Sequence, residues 1–332
     1  MNRIRLTVAL LAAALTAPAP CQQQATTMAT LAQRADVVVR ASVTYSTLPT
    51  PTWCQVGMRT DAVLKGQVGA TFTLTEPAGE CCGRSLFSLQ AGDERLLFLR
   101  KVGPVLHPLG GGRGVLPATP ALVAHTGALL QTETTNALGH LLAQSLASPE
   151  PRISHDAAMA LAVLPNLSLS ATDRAAALAA LSQSVQRGST RAAALADVAA
   201  RLGDAAAVDA VLPLYLGATR DDQAALLRSA LTRCAPALVA ERMPMHVGTA
   251  RRDAVRAATL LTALPPSVGQ GAMAALLSRP VHPRAKVELC QGLLAAGVAR
   301  ASLRPMVPAV VLELAVRRRE QGPTFENIRP RR

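Results

Sequence analysis

Near residue 130 the chain changes texture, and that change limits what it can fold into. Before it lie β-branched runs, glycine turns and five of the seven aromatic residues, Tyr45, Trp53, Phe72, Phe87 and Phe98. After it come alanine-rich segments with leucine at helical spacing. A hydrophobic period of about two belongs to strands and one of about 3.6 to helices, and one element cannot satisfy both. The pattern therefore predicts two differently built domains: a small β-barrel or sandwich over residues 22–125 and an array of helices over residues 130–318. They are flanked by an export signal, residues 1–21, and a basic flexible tail, residues 319–332.

The export reading rests on Arg3 and Arg5 before the apolar stretch Leu6–Ala17, which is too short to span a bilayer and is broken by Pro18, Ala19 and Pro20. Ala19 and Cys21 are small residues where a signal peptidase reads, so the expected cut falls just after Cys21 and the mature chain is periplasmic or secreted. Acylation of Cys21 as a lipid anchor is the disfavoured alternative, because Pro18 and Pro20 fit a lipobox poorly. Arginine or aspartate interrupts every later apolar stretch, so no further membrane span is expected.

The net charge of +13 is uneven: residues 1–150 carry 11 basic and 8 acidic groups, residues 151–332 carry 23 and 13. A positive helical half can attract nucleic acid, but in an exported chain acidic proteins, lipid head groups or anionic envelope polymers fit the compartment better, and the expected partner is an acidic protein. The structural alternative is that arginine only solubilises alanine-rich helices.

Within the first domain, strands are expected at Asp36–Tyr45, closed by Pro49 and Pro51, at Gln55–Leu64, Ala70–Thr75, Arg84–Leu89 and Glu94–Lys101, with a turn and one short strand in the connector Gly103–Pro120. Gly110-Gly111-Gly112 in that connector lacks the Gly-Lys-Ser/Thr of a phosphate loop. The order Ala35-Asp36-Val37-Val38-Val39-Arg40-Ala41, Val63-Leu64-Lys65-Gly66, Cys82-Gly83, then Gly92 before Leu96-Leu97-Phe98-Leu99 resembles the netrin-like modules of tissue inhibitors of metalloproteinases. That resemblance implies an OB-type barrel. It also implies an alternative function, inhibition of an extracellular or periplasmic hydrolase, in which an N-terminal cysteine chelates the target's zinc. Cys21 stands at a comparable distance before the first strand, but Gln23 replaces the second cysteine of the family's Cys-x-Cys start.

Cys54 falls at the start of the second strand and Cys81-Cys82 before the fourth. Vicinal cysteines rarely bond to each other, so a disulfide from Cys54 to Cys81 or Cys82 is expected; the loop closed would contribute on the order of 3 kcal/mol. The spacing does not match a zinc site.

In the second half, Leu195, Val198 and Leu202 line one helix and Val208, Val211, Leu212, Tyr215 and Leu216 the next, with Gly203-Asp204 between them as stop and cap. Further helices are expected at Ser154–Leu164, Thr172–Gln186, Asp221–Cys234, Ala250–Leu264, Gln270–Leu277, Pro283–Ala295 and Ser302–Arg318. Arg-Ala-Ala-Ala-Leu-Ala occurs at Arg174 and again at Arg191, as a repeat array would allow. Arg191-Ala-Ala-Ala-Leu, followed by Ala200-Arg201-Leu202-Gly203-Asp204 and Ala207 to Leu212, resembles a short bacterial HEAT repeat. The resemblance implies an α-solenoid scaffold that binds proteins. Cys234 and Cys290 fall on separate helices, either cross-linked or buried as free thiols.

The histidines at 107, 125, 140, 155, 246 and 282 are scattered, and no hydrolase or metalloprotease signature occurs in a suitable setting. His155-Asp156 reads as a capping pair. The expectation is accordingly a non-catalytic, cofactor-free binding protein of the cell envelope. Its candidate partner-binding residues are Arg251, Arg252 and Arg256, which fall within about one and a half turns of one helix.

Overall fold

The computed structural model describes residues 26–50, 53–77, 89–248 and 250–320. The export segment, Cys21, Cys81, Cys82, the expected strand up to position 88 and the tail beyond residue 320 lie outside the described residues. The chain divides into two compact units, residues 1–130 and 131–332.

The first unit opens with α1 (Met28–Arg34), whose N-terminus is capped by the Thr27 hydroxyl accepting from the Thr30 N–H at 3.2 Å. Then follow β1 (Val37–Thr50), β2 (Trp53–Lys65), β3 (Thr71–Pro77), β4 (Glu94–Val102), β5 (Val105–Pro108) and β6 (Val115–Pro117). They form an antiparallel sheet in the order β3-β2-β1-β4-β5, with β6 also paired to β4. β5 and β6 share the edge of β4 that faces away from β1. Register shifts break the β1–β2 ladder at four places, between Val38 and Val39, Arg40 and Ala41, Val43 and Tyr45, and Thr47 and Thr50. Bulges bend and twist a strand, and the sheet curls until β3 approaches β5. The result is a curled antiparallel half-barrel.

Its core takes alternate residues from each strand: Val37, Val39, Ala41 and Val43 from β1, Val56 and Met58 from β2, Leu74 from β3, Leu97 and Leu99 from β4. Val38, Leu96 and Phe98, on the opposite face, are buried too, which explains why these stretches read as continuous apolar runs. Two expectations need correction. β1 runs on to Thr50, because Pro49 falls in the irregular stretch between Thr47 and Thr50 where no ladder N–H is required. The connector holds two short strands, β5 and β6, separated by a 3-10 turn at Gly111–Gly114. The unit closes with α2 (Pro120–Leu130), which buries Leu122, His125, Thr126 and Leu129.

The second unit is all helix among the described residues: α3 (Thr135–Ser145), α4 (Pro151–Val163), α5 (Ala171–Gln186), α6 (Arg191–Leu202), α7 (Ala205–Gly217), α8 (Asp221–Leu231), α9 (Pro236–His246), α10 (Arg251–Ala263), α11 (Pro266–Leu277), α12 (Pro283–Ala295), α13 (Arg300–Leu303) and α14 (Ala309–Glu320). Helices pack in sequential pairs and stack on the next but one, α3 on α5, α5 on α7, α7 on α9 and α9 on α11 in one layer, α4 on α6, α6 on α8, α10 on α12 and α12 on α14 in the other, with α10 resting on α7 where the second layer is interrupted after α8. This is a helical-repeat arrangement. Alanines at the contacts, such as Ala157 and Ala158 of α4 and Ala194 and Ala199 of α6, let helix axes come close while Leu161, Leu195 and Val198 fill the seam.

The α6–α7 junction is built as its sequence implies. Gly203 ends α6 in the left-handed region, φ 58°, and the Asp204 carboxylate accepts from the Ala207 N–H at 2.9 Å. The twin hexapeptides are not equivalent, since Arg174 lies in the first turns of α5 and Arg191 opens α6 in the other layer. α4 begins at Pro151 with Glu150 as its cap, so His155 and Asp156 lie inside the helix and not in a capping turn. The expected helix Ser302–Arg318 is two, α13 and α14, interrupted before Ala309 by Pro308.

Candidate binding face

Arginine is the commonest charged residue in the helical unit, and its guanidinia divide into two kinds. One kind turns inward onto the ends of neighbouring helices, where the last carbonyls have no intrahelical donor. Arg201, at the end of α6, donates to the carbonyls of Leu161 at 3.0 Å, of Ala162 at 2.8 Å and of Leu164, closing the C-terminus of α4. Arg256 of α10 does the same for α7, donating to Tyr215 at 3.1 Å, Leu216 at 3.0 Å and Ala218, while the Tyr215 hydroxyl donates back to the Arg256 carbonyl at 3.0 Å. Arg191 reaches the Leu146 carbonyl after α3, Arg279 reaches Pro244 in α9 and Arg319 reaches Leu294 in α12. Each places a cation at the negative end of a helix dipole. Lys65 applies the same device in the half-barrel, donating to Ala32 and Gln33 at the end of α1.

Further arginines are spent on ion pairs between helices: Arg174 with Asp204, Arg233 with Asp197, and Arg242, together with His246, on Asp209. Arg220, Arg284 and Arg300 pair with Asp222, Glu288 and Glu313.

The second kind faces water. Arg228, Arg304, Arg317 and Arg318 are exposed and without an ion pair on other helices, and so, among the described residues, are Arg152, Arg187, Arg251 and Arg252. The last four stand at turns that lead from an odd-numbered helix to the next even one. The α3–α4 and α5–α6 turns line a common cavity, the α5–α6 and α7–α8 turns line another, and Arg256 ties the first turns of α10 to Ala218 and, at 3.8 Å, to Asp221. Asp221 and Asp222 make the middle of this turn edge mixed in sign, whereas its α3–α6 end is dominated by arginine.

The three arginines singled out in the sequence thus separate. Arg251 and Arg252 point to solvent at the start of α10; Arg256 has a side chain only 12% exposed and holds α7. Helical spacing could not tell them apart, because the carbonyls that attract Arg256 come from a helix more than thirty positions earlier. Arg152, Arg187 and His155 were not visible as a group, since only stacking brings their turns together.

Cys54 is buried in β2 as a free thiol, 4.0 Å from the Ser46 hydroxyl. Its expected partners Cys81 and Cys82 lie outside the described residues, so the structure displays no disulfide for Cys54. Cys234 and Cys290 are free and buried. Burial pushes both thiols up, Cys290 to about 11.

The fold and face together define a class: a curled antiparallel half-barrel followed by helices packed in sequential pairs, with a basic turn edge. Comparison with protein-family models, with curated proteins and with solved structures finds no significant match.

Proposed function

We propose that the chain is an exported, non-catalytic binding scaffold whose helical unit, a HEAT-like solenoid, docks an acidic protein along the basic turn edge. The observation that carries this reading is the division of the arginines. Those that fasten helix ends are engaged by backbone carbonyls, while Arg152, Arg187, Arg251 and Arg252 stay solvated and unpaired at turns between helices, beside Arg228, Arg304, Arg317 and Arg318 elsewhere on the unit. A folded chain gains no intramolecular pairing from the four charges at the turns, so their use lies in an external one. Acidic groups would be steered to them over several ångströms and lose on-rate as salt rises. Export, read from Met1–Pro20, supplies the compartment and removes nucleic acid as a partner.

The test is capture from the envelope fraction of the native host by the full chain, with the eluate quantified against salt. Arg251→Glu/Arg252→Glu and Arg152→Glu/Arg187→Glu are expected to reduce capture of the same protein sharply, while reversal of tail arginines 329, 331 and 332 leaves it nearly unchanged. Undiminished capture by both edge variants overturns the reading. Arg256 is left intact, because its loss would open the end of α7.

The curled antiparallel half-barrel supports the OB-type, netrin-like reading of the first unit, and with it the alternative of a hydrolase inhibitor. Mass measurement of the mature N-terminus separates the two, since chelation of zinc by that mechanism needs a free amine on Cys21.

A further inference from the structure

The α3–α6 end of the basic edge is concave. Between the α3–α4 turn and the α5–α6 turn lies a cavity of about 720 Å3, lined by Arg152 and His155 of α4, Arg187 after α5, Arg191 at the start of α6, and the hydroxyls of Ser148 and Ser189. No carboxylate lines it. Among the described residues none of the three guanidinia is ion-paired; Arg191 alone is anchored, by one Nη1 bond of 3.3 Å to the Leu146 carbonyl. The nearest acid in sequence, Glu150, is occupied as the cap of α4. Ser148 and Ser189 each already accept a backbone N–H through the oxygen, from Glu150 at 3.2 Å and from Arg191 at 3.3 Å. Their hydroxyl protons are therefore left to donate outward. His155 reports how closely the charges converge, because burial, Arg152 and Arg191 all push its ring below the ordinary histidine value.

Every polar side chain that lines this space is a donor or can be one. Guanidinium forks match tetrahedral oxyanions bidentately, three of them exceed what a single carboxylate can neutralise, and the volume is that of a small-molecule pocket. We propose that this cavity is a binding site for a small phosphate monoester, its dianion held by Arg152, Arg187 and Arg191 and its oxygens completed by the Ser148 and Ser189 hydroxyls. The proposal deepens the reading of the turn edge as the binding face and rests on it. The cavity itself stands at one end of that face, apart from Arg251 and Arg252.

The experiment follows the His155 ring signals of the full chain by NMR during titration with inorganic phosphate and with glycerol 3-phosphate, against sodium chloride of matched ionic strength. A saturable shift with the phosphates and none with chloride is expected. In Arg152→Gln/Arg187→Gln the half-saturation concentration should rise about ten-fold or more, the loss expected for charge-assisted hydrogen bonds. Both positions are exposed, and Arg191 is left in place because it also holds α3, so the variant keeps the fold; its far-ultraviolet circular dichroism should match the parent's. Tighter binding of glycerol 3-phosphate supports a monoester whose organic part fills the cavity. Tighter binding of inorganic phosphate supports the oxyanion site and overturns the monoester. An unsaturable drift, or the same saturation in the double variant or with chloride, overturns the site altogether. If the site fails while Arg251→Glu/Arg252→Glu still abolishes capture, the docking edge stands without it.

Discussion

Single side chains in this protein behave as their surroundings dictate. Cys290 is fully buried on α12 and its thiol is pushed up to about 11 by that burial, so at about pH 8 almost no thiolate exists to react. Folded protein should resist iodoacetamide at Cys290 and become labelled only on unfolding; rapid labelling of the folded chain, read by peptide mass, would contradict this. Gly66 closes β2 at φ 75°, and a Cβ built there would lie 2.2 Å from the Asp36 carbonyl oxygen. Gly66→Ala combines left-handed strain with a backbone clash and should destabilise the half-barrel by about 1–3 kcal/mol, measured by thermal melting. His125 on α2 is buried, and burial pushes its ring below the ordinary histidine value. The unfolded chain then takes up a proton before the folded one does, so this contribution to stability is intact above about pH 6.5 and is lost as pH falls toward the folded value. His125→Gln should flatten that part of the stability profile, and an unchanged profile would assign the decline to other groups.

Elements were legible in the sequence where local chemistry is complete. The α6–α7 junction shows its stop and its cap in Gly203-Asp204, and Asp204→Ala should cost about 1–2 kcal/mol, since it removes both the cap and the partner of Arg174. A urea midpoint equal to the parent's would show that neither contact matters. Pro283–Ala295 was readable to the residue because proline opens it. β1, β2, β3 and β4 were found because their β-branched and alternating runs meet only glycine and proline turns. What was missed has physical reasons. α9 carries Pro236 and Pro244, which read as breakers although the first sits at the helix start and the second in its last turn. α2 and α3 lie in a stretch of Thr, Gly and Asn with weak periodicity, and their faces are chosen by packing. The inward turn of Arg256 and Arg201, and the cavity shared by Arg152, Arg187 and Arg191, depend on stacking of helices far apart in sequence. No local pattern encodes that.

At the scale of the whole molecule, the excess of positive charge has two sources that composition cannot distinguish. Inside the helical array, arginines replace the hydrogen bonds that helix ends lack and so allow short turns between short helices. At the turns and on the outer helix faces, other arginines remain hydrated and repel one another mildly. The half-barrel and the array reach their folds by separate routes, one through bulged strands curling around a core of alternate residues, the other through alanine seams. The most direct measurement compares urea unfolding of the helical signal in two variants, Arg201→Gln/Arg256→Gln and Arg152→Gln/Arg187→Gln/Arg251→Gln/Arg252→Gln. The account predicts that the first loses about 0.5–1.5 kcal/mol per arginine, because part-buried helix-end carbonyls lose their donors. The second should unfold at the parent's midpoint or above it. Equal destabilisation of both variants would contradict the division between arginines that fasten helix ends and arginines that only face water.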